Sequence, residues 1–165
     1  MKDPNWLTIA RGYIGLAEIP GKQHNPKIIN MLIALGAWWR EDETPWCGTF
    51  VGFCLKEAGR DVPKTFYRAL DYLKYGTRLD KPAYGCIVVF KRDKGGHVGF
   101  LVGVTTAGDP IVLGGNQGNR VSIATLPKAR VAGYVWPSQG GVNSYPLPAR
   151  YTLPIGQAAA SRGEA

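Results

Sequence analysis

The chain has 165 residues, a formal net charge of +8 and three cysteines. That length supports one full hydrophobic core and excludes a small scaffold that depends on disulfides. The longest apolar stretch, Ile28 to Trp39, is broken by Asn30 and is too short to span a bilayer, and Met1 to Trp6 lacks the apolar core of a signal peptide.

In chain order, Trp6, Ile9, Ala10, Tyr13, Ile14 and Ala17 recur at helical spacing, with Pro20-Gly21 as a stop signal. Pro26 to Leu35 reads as a second helix closed by Gly36, and Arg40 to Thr44 as a polar loop. A third helix is expected to begin at Pro45, since proline is favoured at the first helical position, and to end at Gly59. Phe66 to Tyr75 reads as a short helix ending at Gly76. From there strands are expected at Cys86–Phe90, His97–Val104, Ile111–Leu113, Val121–Ile123 and Val131–Trp136. Their short Gly-, Asn- and Asp-containing connections predict antiparallel hairpins. Helices followed by strands predict an α+β fold, with N-terminal helices packed on a sheet of about five strands. Residues 1–137 form the expected domain, and 138–165, rich in Gly, Pro and Ala, an extended or disordered tail.

The positive charges are dispersed, with no arginine-rich run and no RNA-binding aromatic signature, so nucleic acid is not the expected partner. They suit an anionic envelope or wall. Cys54 and Cys86 lie within apolar patterns and read as structural. Cys47 differs. At a helix start, free N–H groups and the positive end of the dipole favour thiolate, the nucleophilic form. Cys47 and Cys54, two turns apart on one helix, are too distant for a disulfide.

A thiol nucleophile needs a base, and the base needs an orienting partner. His97 opens a strand after Gly95-Gly96, and Asn116 follows a strand in Gly114-Gly115-Asn116-Gln117. Cys47, His97 and Asn116 therefore form the candidate catalytic set, with Gln117 a competitor for Asn116. Trp46, Gly48, Gly96 and Gln117 are candidate substrate-binding positions. His24 reads as a solvated loop residue. Glu18 and Glu41-Asp42-Glu43 read as solvated acidic residues or as ligands for a cation, although calcium-loop spacing is absent. No metal or other cofactor is expected, because Cys47, Cys86 and His97 include no short ligand pair.

The segment from Pro45 to Gly59, PWCGTFVGFCLKEAG, resembles the nucleophile helix of the NlpC-like and CHAP (cysteine, histidine-dependent amidohydrolase/peptidase) families of cell-wall hydrolases. Gly95 to Gly103, GGHVGFLVG, resembles their histidine strand, and Val112 to Ile123, VLGGNQGNRVSI, the segment of their third residue. Gly15 to Gly21 with Asn25 to Ile28 is similar to the opening of a phage-associated branch. The resemblance implies a papain-like domain in which Cys47 attacks an amide of peptidoglycan, His97 transfers the proton and Asn116 orients the imidazole. Many CHAP enzymes carry glutamate two positions before the asparagine. Gly114 stands there in this chain, which favours a neutral orienting residue.

The expected partner is bacterial peptidoglycan, met by a monomer without membrane insertion. The bond is the muramoyl–alanine amide or one in the stem or cross-bridge peptide. Two settings are open: a phage endolysin released by a holin, or an interbacterial effector delivered by a secretion system and countered by an immunity protein. A non-catalytic wall-binding module on the same scaffold is the rival reading.

Overall fold

The computed structural model describes residues 2–19, 23–42 and 44–156. Three helices, α1 (Asn5–Arg11), α2 (Pro26–Ala34) and α3 (Cys47–Glu57), precede a sheet. Its strands are β1 (Thr77–Leu79), β2 (Ile87–Lys91), β3 (Gly96–Val104), β4 (Pro110–Gly114), β5 (Ser122–Thr125) and β6 (Val131–Trp136). All pairings are antiparallel, in the order β1-β6-β2-β3-β4-β5. This is the expected α+β class. The sixth strand, β1, is a three-residue edge element too short to show a period.

The central strands β2, β3 and β4 are buried along almost their whole length, so they read as apolar runs rather than alternations. The central helix α3 packs against β3 and against α1, burying Phe50, Val51, Cys54 and Leu55. Trp6 anchors α1 to the sheet. Its Nε1 donates to the Gly85 carbonyl at 2.8 Å, and its ring meets Trp136 edge-on at 5.1 Å. Cys54 and Cys86 are free and fully buried. Burial pushes the Cys86 thiol up to about 12 and the Cys54 thiol higher still.

Helix α1 is shorter than its apolar spacing predicts. It stops at Arg11, and the chain then turns onto the sheet edge. Gly15 N–H donates to the Val121 carbonyl, Val121 N–H donates to the Leu16 carbonyl, and Gly15 takes φ +98°. Tyr13, Ile14 and Leu16 still pack on the core from this non-helical path. The expected stop at Pro20-Gly21 lies outside the described residues. Helix α3 begins two residues later than expected, at Cys47, with Trp46 as its N-cap. In the Phe66–Tyr75 segment only Ala69–Lys74 is helical, as a 3₁₀ turn.

Residues 138–156 follow the surface of the domain. Gly140 and Gly141 N–H groups donate to the Asp61 carboxylate, Tyr84 N–H to the Arg150 carbonyl, and Val104 N–H to the Pro154 carbonyl. The rest of the expected tail, 157–165, lies outside the described residues. No helix of the described residues is long and apolar enough to cross a membrane.

The polar loop before α3 has a buried function in the fold. Asp42 is fully buried, and its Oδ2 accepts from the N–H groups of Asn25 (2.8 Å) and Ile19 (2.9 Å). Its Oδ1 lies 3.1 Å from His24 Nδ1, so neither Asp42 nor His24 is the solvated loop residue expected. Asn25 in turn caps α2 through the Lys27 N–H. Burial disfavours the Asp42 carboxylate, but the Asn25 and Ile19 amides and His24 outweigh it and hold the group below its ordinary value. A carboxylate held low in the folded state stabilises above its unfolded value, and that contribution is lost as pH falls through the folded one. Asp42→Asn is therefore expected to cost about 1–3 kcal/mol at neutral pH. In urea melts the gap from wild type should close as pH falls below the ordinary carboxylate range. A gap that persists there would show that shape rather than charge sets the effect.

Candidate active site

Cys47 is the first helical residue of α3. Phe50 N–H makes the first helix bond, to the Trp46 carbonyl, which leaves the N–H groups of Cys47 and Gly48 for the sulfur. The Val98 N–H also donates to the sulfur, so the thiol sits against the strand residue that follows His97. Cys47 is nevertheless 6% exposed. Burial pushes its thiol above the ordinary value, against the Val98 and Gly48 amides, the Arg92 charge and its own amide. Desolvation thus outweighs the helix start, and the resting group is a thiol rather than the thiolate the sequence suggests.

His97 lies in β3 opposite Phe90 and is 1% exposed. Its Nε2 is 2.9 Å from the Gln117 Oε1. The orientation of that amide follows from its other contacts. Gln117 Nε2 donates to the Val112 carbonyl (3.1 Å) and to the Ser122 carbonyl (2.8 Å), so Oε1 must be the atom that faces His97. His97 Nε2 therefore carries the proton, and Nδ1 keeps the lone pair. Burial, with a smaller contribution from the Arg92 charge, lowers the imidazole to about 4 against the raising effect of Gln117. At neutral pH the ring is uncharged.

The contact with His97 comes from Gln117 and not from Asn116. Asn116 occupies the turn with φ +58°, a conformation that asparagine tolerates, and the chain then brings the next side chain inward. Gly114 makes this possible. A Cβ there would lie 2.6 Å from Gln117 Oε1 and 3.5 Å from His97 Nε2, so the Gln117 amide fills the space a side chain at 114 would take.

The other candidate positions are structural. Trp46 is 1% exposed and packs against the Gly115 backbone, where a Cβ would lie 2.8 Å from its ring, so it is a core residue. Gly48 is buried. Its carbonyl accepts from Tyr72 Oη at 2.8 Å, and a Cβ there would run into the Phe66 carbonyl. Gly96 lets β3 approach the Phe90 carbonyl, which a Cβ would meet at 2.6 Å. Gln117 holds the histidine rather than lining a groove. Among the described residues no group of three or more His, Cys, Asp or Glu could hold a metal.

Sequence reasoning missed the groove of about 620 Å³ whose wall includes His97 together with Lys91, Arg92, Lys94 and Arg130. The signal available was the run Lys91-Arg92-Asp93-Lys94, immediately before Gly95-Gly96-His97.

The CHAP domain family model matches residues 39–116, a span that includes Cys47, His97 and Asn116 and stops one residue short of Gln117. No curated protein matches the chain.

With only two histidines, the imidazole titration is readable by NMR. His97 is expected as the Nε2-protonated tautomer with a midpoint near 4. Gln117→Ala should lower that midpoint further and mix the tautomers, because the contact it removes favours the imidazolium. Asn116→Ala should leave both unchanged. The opposite pattern would return the orienting contact to Asn116.

Proposed function

We propose that this chain, whose residues 39–116 belong to the CHAP domain family, hydrolyses an amide bond in the peptide part of bacterial peptidoglycan through a Cys47 acyl-enzyme. The observation that carries the reading is the Gln117–His97 contact on the strand beside the Cys47 sulfur. It leaves Nδ1 as the basic nitrogen of a neutral imidazole.

In this mechanism His97 Nδ1 takes the proton from Cys47 Sγ as the sulfur attacks the carbonyl carbon. Both groups start neutral, so His97 acts as a general base in the attack itself. The oxyanion forms beside the N–H groups of Cys47 and Gly48 at the start of α3, which face the sulfur in the resting site. The imidazolium then gives its proton to the leaving amine, and the C–N bond breaks. Water, deprotonated by His97, attacks the thioester, and the thiol is regenerated. Gln117 accepts the Nε2–H throughout and stabilises the transient imidazolium, as the asparagine does in papain-like sites.

The setting favoured is lysis by an endolysin released from the host cytoplasm. A net charge of +8 supports capture by a polyanionic wall. An effector with a partner immunity protein would use the same chemistry.

Digestion of purified walls followed by mass spectrometry of the soluble fragments tests the proposal. New free amino and carboxyl termini are expected at one type of amide. Cys47→Ala should lower the rate by at least about 10³-fold, the scale of losing a nucleophile, with the melting transition retained. Glycan cleavage without new peptide termini, or full activity in Cys47→Ala, would overturn it.

A further inference from the structure

The groove beside His97 is built from two short segments. One is the end of the β2–β3 hairpin, Lys91 to Lys94, and the other is the connection from Leu126 to Arg130 that leads into β6. Its apolar lining is Phe90, Leu126 and Pro127. Four cations, Lys91, Arg92, Lys94 and Arg130, face one carboxylate, Asp93. Asp93 is 98% exposed and only 3.8 Å from Arg130, a solvent-screened contact that contributes little.

Arg92 is the informative member. Its side chain makes no ion pair or hydrogen bond with the described residues. It lines the same groove wall as His97, and its charge bears on both Cys47 and His97. An unpaired guanidinium in that position presents a fork matched to a carboxylate. Apolar residues beside a cationic rim fit an aliphatic residue that ends in a negative charge, not an uncharged one.

We propose that this groove is the subsite for an acidic residue of the substrate, whose free carboxylate pairs with Arg92 while its aliphatic part lies on Phe90 and Leu126. Arg130, turned from its loose contact with Asp93, is the second cation available to that carboxylate. The proposal rests on the hydrolase reading and gives it a substrate class. The amide cleaved neighbours a residue with a free carboxylate, and a wall in which that carboxylate is amidated is a poor substrate.

The test uses two wall stem peptides that differ in one group, an isoglutamate with a free carboxylate or with a carboxamide. Wild-type protein is expected to cleave the acid form with a kcat/KM at least tenfold higher. Arg92→Gln should bring that ratio to within about twofold of unity, and Arg92→Lys should keep part of it. Binding to the Cys47→Ala protein, followed through the arginine side-chain N–H signals, reads the same preference without turnover. Equal cleavage of the two peptides by wild type, or a preference retained in Arg92→Gln, would overturn the subsite and leave the hydrolase intact. Tighter binding of the acid form at Arg92 with no cleavage of either peptide would support the subsite and overturn the hydrolase. Neither binding nor cleavage would overturn both.

Discussion

Both hydrogens of the Gln117 amide are committed to backbone carbonyls, one at Val112 in the middle of β4 and one at Ser122 at the start of β5. Its oxygen is thereby aimed at His97, and the histidine tautomer follows. The site depends on this short chain of hydrogen bonds, because the lone pair stays on Nδ1 only if Nε2 is held as a donor. Ser122 adds a return contact, its hydroxyl donating to the Gln117 carbonyl. The turn between β4 and β5 is thus tied at both its side chain and its backbone. Strand pairing between Gly114 and Ser122 sets where the turn begins and ends.

Two effects compete at Cys47, and their balance determines the resting chemistry. The helix start, the Val98 amide and Arg92 favour charge on sulfur. Packing between α3 and β3 removes the solvent that would stabilise it, and packing wins. The same burial keeps His97 neutral. Between the ordinary histidine range and about 4, the unfolded chain takes up a proton that the folded site refuses, so this residue lowers fold stability as pH falls across that window. At neutral pH both groups are thus held uncharged.

How far the sequence is legible follows the reach of each signal. Helices α2 and α3 have runs long enough to show their period, and the five longer strands show as short runs rich in β-forming residues. The early end of α1 was hidden because Tyr13 and Ile14 remain apolar for the core while leaving the helix. Cys47 and His97 stood out through local context, a helix start and a glycine-flanked strand. The residue that orients His97 did not, since Asn116 and Gln117 are adjacent amides and only the positive φ at Asn116 decides which one turns inward. Burial of Trp46 and of Cys47 depends on neighbours distant in sequence, Gly115 and Val98, that no local pattern reveals.

Gly114 and Gln117 together amount to an exchange of labour between a strand and a turn. Position 114 on the strand carries no side chain, and an amide delivered from beyond it fills the space. An amide does not titrate. The grip on His97 is consequently indifferent to the acidity of the surroundings over the range in which a carboxylate partner would lose its charge and its acceptor strength. A histidine held this way keeps its orientation as the surroundings acidify, until the imidazole itself takes up a proton near 4.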